Sequence, residues 1–174
     1  MNKEDKKKLL QKALDYHHNG RLNLADDIYM KILSADQNDF DANHLHATIL
    51  SQNNEYAKAI KFFSQAYEHQ TPTCELLNNY AIALRNLRAF SECESMLHEA
   101  IELDKYFAKS YINLSNCFVS QNKYDQAIDI LRKSIKLDLN LTKSHHSIAM
   151  ILFSKLSRVS DQNTLDELKE HLKF

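Results

Sequence analysis

Nine histidines and three cysteines are the residues of this 174-residue chain best able to do chemistry, and their spacing decides what chemistry that could be. Two imidazoles on one helix share a metal ion when they stand four residues apart, as in H-E-x-x-H, because that offset puts them on one face. No two histidines here are so placed. His44 and His46 are two apart, while His17 with His18 and His145 with His146 are adjacent, so each pair points to different helix faces. A ligand set assembled from several helices is the alternative that spacing leaves open. Cys74, Cys93 and Cys117 have no metal-ligand spacing either. One glycine allows no glycine-rich phosphate loop, and no Ser or Cys sits in a strained turn that would activate a nucleophile. These residues predict a chain with no catalytic group, no cofactor and no metal, and therefore not an enzyme.

The elements that must position whatever the chain does offer are short amphipathic helices. In Ala108–Leu141, Tyr111, Leu114, Ser115 and Phe118 recur at i, i+3, i+4 and i+7, which places them on one helical face. Tyr124, Ala127, Leu131, Ser134 and Ile135 form a second such stripe, and Asn122 between the two suits the left-handed conformation that ends a helix. The pattern returns every 34 residues. Units start at Lys6, Phe40, Cys74, Ala108 and Thr142. Position eight is small in all five: Ala13, Ala47, Ala81, Ser115 and Ala149. Position twenty is Ala25, Ala59, Cys93 and Ala127, with larger apolar residues at positions eleven, seventeen and twenty-four. Small residues at eight and twenty let two antiparallel helices approach closely.

A phase of 34 residues with these small and large positions resembles the tetratricopeptide repeat, over essentially the whole chain. The resemblance implies an all-α fold, a right-handed superhelical solenoid of about five helix–turn–helix repeats forming one domain over residues 1–174. Its units are 6–39, 40–73, 74–107, 108–141 and a degenerate 142–174. The chain departs from the family at position thirty-two, where its proline is replaced and Pro72 comes one place late, and at the inter-helix glycine, kept only as Gly20. Leu87-Arg88 is the least turn-like of the inter-helix junctions. In the last unit Arg158 and Asp161 stand where an aromatic and a small residue belong, so 157–163 reads as an insertion. Thr164 and Glu167 then form a capping box predicted to start a short final helix bearing Leu165, Leu168 and Leu172.

The charges balance, with 22 Lys and Arg against 23 Asp and Glu, so no global field points to nucleic acid or an anionic membrane. The basic run at 6–8 follows Glu4 and Asp5 and has no interleaved aromatic. The polar start is no secretory signal, and no apolar run reaches membrane-spanning length. Together these predict a cytoplasmic protein.

What remains is a surface. In the resembled family the first helix of each unit lines a concave groove, and carrying its positions over implies a peptide-binding groove of Asn78, Asn79, Ile82, Arg85, Lys109, Ile112, Asn113, Asn116, Lys143, His146 and Met150. His44, Thr48, Gln52, Val119 and Phe153 continue the same face. Asparagines at position six of successive units, Asn79 and Asn113, resemble the ladder with which transferase members of the family grip peptide backbone. Apolar and amide-bearing residues on one face suit an extended, mildly acidic peptide with apolar side chains. The expected function is a non-catalytic protein–protein interaction scaffold or adaptor. The alternative is the N-terminal substrate-selecting arm of a larger bacterial-type glycosyl- or sulfotransferase, which the first two units also resemble. Apolar Leu172 and Phe174 at the end add an expectation of weak self-association through the C-terminal helix.

Overall fold

A computed structural model describes residues 1–137, 139, 141–156 and 162–172. Among the described residues every element is helical. The chain divides into two compact units, 1–87 and 88–174.

The first unit holds α1 (Lys3–His18), α2 (Leu22–Ala35), α3 (Phe40–Gln52), α4 (Tyr56–His69) and α5 (Cys74–Asn86), each packed on the next. Ala13, Ala25, Ala47 and Ala59 are completely buried where consecutive helices cross, so a larger side chain there would push the pair apart. Tyr29, Ile32 and Phe63 fill the space around them. Each odd helix of this unit starts from a side-chain cap. Asn2 accepts from the Asp5 amide at 2.7 Å, Asp39 from Ala42 at 2.9 Å and Thr73 from Leu76 at 3.2 Å. Asp39 is buried and also bonds Lys6 of α1, whose ammonium that hydrogen bond holds above its ordinary pKa.

The second unit holds α6 (Phe90–Leu103), α7 (Ala108–Ser120), α8 (Tyr124–Lys136), α9 (Leu141–Leu156) and α10 (Gln162–His171). Cys93, Leu97, Leu114, Ser115, Ala127, Leu131, Ile148 and Leu152 make its core. Ser134 and Ser144, both fully buried, meet at 3.2 Å between α8 and α9. All three cysteines are buried thiols, and Cys93 packs as the small apolar residue its position requires.

Inter-helix turns follow one geometry. Gly20, Asn54, Arg88 and Asn122 take φ of 70°, 62°, 62° and 61° at the same place in four units. Arg21, Glu55 and Lys123 then return their amides to Tyr16, Leu50 and Phe118 carbonyls at 2.9, 2.8 and 2.9 Å, closing the helix ends as in a Schellman motif. The last helix departs from expectation: α10 begins at Gln162, so Thr164 lies inside it rather than at its cap. Arg158, Asp161 and Phe174, singled out in the sequence, lie outside the described residues. No helix among the described residues is long and apolar enough to cross a membrane.

Candidate functional site

In the first unit the predicted face is built by α3 and α5. His44 lies between Phe40 and Phe63, with ring centroids 6.1 and 6.2 Å away. Burial pushes this imidazole down to about 4, with Glu75 pulling weakly the other way. It is therefore neutral, and its Nε2 accepts a hydrogen bond from Asn79 Nδ2 at 3.1 Å. The same amide lies 3.3 Å from Thr48 Oγ1, whose own proton goes to the His44 carbonyl. Asn79 thus directs its side-chain N–H donors into the unit. Thr48, Ser51, Gln52, Tyr56, Asn79 and Ile82 line a shallow depression of about 290 Å³ there. Ile82 and, further along α5, Arg85 are half-buried. Asn78 is turned inward instead: only 3% exposed, it donates to the Cys74 carbonyl of its own helix at 2.8 Å, so it offers little surface to a ligand.

In the second unit α7, α9 and α10 shape a larger pocket of about 460 Å³. Its walls are Ile112, Thr142, Lys143, His146, Ser147, Ala149, His171 and Leu172. Among the described residues no carboxylate lines it, and Lys143 and His146 are exposed at its rim. Met150 and Phe153 continue the α9 face at 55% and 62% exposure. On α7, Lys109 and Asn116 are exposed while Ile112 and Asn113 are half-buried. The arrangement presents apolar contact area beside cationic and hydroxyl groups, a surface suited to binding rather than to activating a bond.

The histidines scatter into separate roles. His46, two residues from His44, turns the other way, 2.5 Å from Asp26 of α2 and edge-on to Phe62 at 4.4 Å. His17 meets Gln52 at 3.4 Å. His145 and His171, 26 residues apart, bring Nδ1 atoms within 2.7 Å, a pair that spacing along one helix could not reveal. Among the described residues no group of three or more His, Cys, Asp or Glu could hold a metal ion.

The family model for the tetratricopeptide repeat matches residues 40–68 and 108–141. Coatomer subunit epsilon of Dictyostelium discoideum is 27% identical over 119 residues, 67% of this chain and 40% of that protein. Anaphase-promoting complex subunit 3 of the same organism is 25% identical over 51% of this chain and 9% of its own length. The chain thus spans well under half of either curated relative. Among solved structures, MamA superposes with a TM-score of 0.80 at 19% identity, covering 98% of this chain and 91% of that one. YrrB, described as a TPR protein with an unusual peptide-binding site, gives 0.76 at 18% identity, covering 98% and 88%. At such identities the likeness shows the fold, the all-α solenoid of these repeats.

Proposed function

The chain belongs to the tetratricopeptide repeat family, and from that premise we propose that it is a non-catalytic protein–protein interaction scaffold that holds an extended partner peptide on the faces of its odd-numbered helices. The observation that carries the reading is the α7–α9–α10 pocket. Ile112, Ala149 and Leu172 give it apolar walls, and Lys143 and His146 flank it with no carboxylate among the described lining residues. Apolar walls receive a side chain such as Leu or Met, and the Lys143 ammonium favours Asp or Glu beside it. The partner is therefore an extended, mildly acidic segment carrying apolar residues. Both curated relatives are named as subunits of larger assemblies, which supports binding rather than catalysis. We place the protein in the cytoplasm, a reading supported by its three buried thiols.

The test is fluorescence anisotropy with synthetic peptides alternating Asp or Glu with Leu or Met, against peptides alternating Lys with Leu. The parent should prefer the acidic set. Lys143→Glu with Met150→Glu, both at exposed positions, should weaken that binding by about tenfold or more with unchanged helicity, a loss of about 1.4 kcal/mol. Equal binding by parent and double variant would remove this pocket from the groove.

A further inference from the structure

The last helix of the second unit meets its neighbours through several titratable groups. His145 Nδ1 on α9 and His171 Nδ1 on α10 lie 2.7 Å apart, with ring centroids at 4.9 Å. Two imidazole nitrogens at that distance hold one proton between them, one ring donating and the other accepting. On its other side His171 Nε2 faces Glu167 Oε1 at 3.9 Å, and that carboxylate oxygen is 2.5 Å from Arg132 Nη2 on α8. The surrounding charges are Lys143 and His146 of α9, which share the pocket wall with His171, Asp129 on α8, which pairs with Arg132, and Glu170 on α10. The apolar seat of α10 is Leu168, buried, and Leu165, half-buried, while Leu172 is 68% exposed.

We propose that α10 is a pH-released helix, docked on α9 while His145 and His171 share a single proton and loosened when both face each other protonated. A first added proton can enter on an outer ring nitrogen and leave the shared bond intact. The next must sit on an inner nitrogen, which sets two N–H donors head to head between two cationic rings. Burial, then the field of His145, lowers the His171 pKa from 6.5, and Arg132 adds to this while Glu167 and Glu170 partly offset it. Because the docked pKa lies below that of the released helix, the released helix binds more protons. Docking is therefore complete above 6.5 and is lost as pH falls below it. Release would also remove His171 and Leu172 from the pocket wall. That consequence rests on the groove reading, whereas the docking itself does not.

Hydrogen exchange of the full chain at about pH 7.5 and about pH 5, corrected for intrinsic exchange rates, tests this directly. Protection of residues 162–172 should fall about tenfold more than that of α7 and α8. His171→Phe keeps a ring against α9 and cannot titrate, so its protection should change less than about twofold. His145→Gln, which still offers His171 a hydrogen-bond partner but carries no second charge, leaves only the burial of His171 to act, so its protection should fall clearly less than the parent's; it serves if the phenyl ring does not seat. A parent whose α10 protection is the same at both pH values overturns the proposal. So does an equal fall in the parent and the seated variants. Peptide affinity is not read in either arm, so failure here leaves the groove reading standing.

Discussion

Acid should weaken the first unit through His44, and the size of the effect follows from its surroundings. The imidazole is packed against Phe40 and Phe63 and accepts the Asn79 amide on Nε2. Its pKa falls from 6.5 to about 4, chiefly by burial. The folded value lies below the unfolded one, so the unfolded chain binds more protons between them. Stability is full above 6.5 and drains away as pH falls towards about 4. At about 1.4 kcal/mol per unit, the whole window is worth about 3 kcal/mol, most of it already lost at about pH 4.5. His17, also lowered by burial, acts in the same direction, so the parent alone cannot isolate the effect. The perturbation is His44→Gln, which keeps an acceptor for Asn79 and cannot titrate. Urea unfolding of both proteins at about pH 7.5 and about pH 4.5, followed by circular dichroism, gives a double difference in which His17 cancels. The parent should lose about 2.5 kcal/mol more than the variant on acidification. Equal losses would refute the reasoning, since His44 would then titrate alike in folded and unfolded chains.

Two further outcomes concern stability. The Tyr29 hydroxyl is completely buried and meets no hydrogen-bond partner among the described residues, and burial pushes its pKa up to about 12. Tyr29→Phe should therefore leave stability unchanged or raise it by up to about 1 kcal/mol in urea unfolding, and a comparable loss would reveal a bound water on that oxygen. Arg88 holds φ at 62°, which glycine adopts without strain, while its guanidinium lies 5.5 Å from the Phe90 ring centroid. Arg88→Gly should raise the melting temperature by the equivalent of about 0.5–1 kcal/mol, and a fall would mean that the cation–π contact outweighs the strain.

The scaffold was legible because it depends on residue size at fixed positions. The small residues at positions eight and twenty, from Ala13 through Cys93 to Ala149, are all buried, and the phase predicts the helix starts at Phe40, Cys74 and Ala108. The repeat even overrides local preference. Leu87-Arg88 is a poor turn by composition, yet Arg88 adopts the same left-handed backbone as Gly20, Asn54 and Asn122. Less legible was what each groove residue does with its polar atoms. Asn78 turns inward although its position in the repeat assigns it to the groove. Nothing in the spacing of His46 or His145 announced Asp26 or His171, because those partners are fixed by tertiary packing. The start of α10 was misread for a related reason: a capping box is a local preference, and here the helix extends past it.

One regularity does convert sequence into contacts on this surface. His17 meets Gln52 and His44 meets Asn79, and each pair is 35 residues apart. A residue in one first helix thus touches the residue one position further along in the next. In the first unit that rule brings an acceptor, His44, against an amide donor. The two satisfy each other, and the depression beside them is only about 290 Å³. In the second unit the same step leads from Ile112 to Ser147, both in the wall of the pocket of about 460 Å³. Ile112 has no acceptor to offer the hydroxyl, so the surface there stays apolar with a polar group at its edge, while Lys143 adds charge. An asparagine or serine at position six is therefore open to a ligand only when position five of the preceding unit cannot engage it. On the proposed reading, α7 and α9, rather than α3 and α5, would receive the partner peptide.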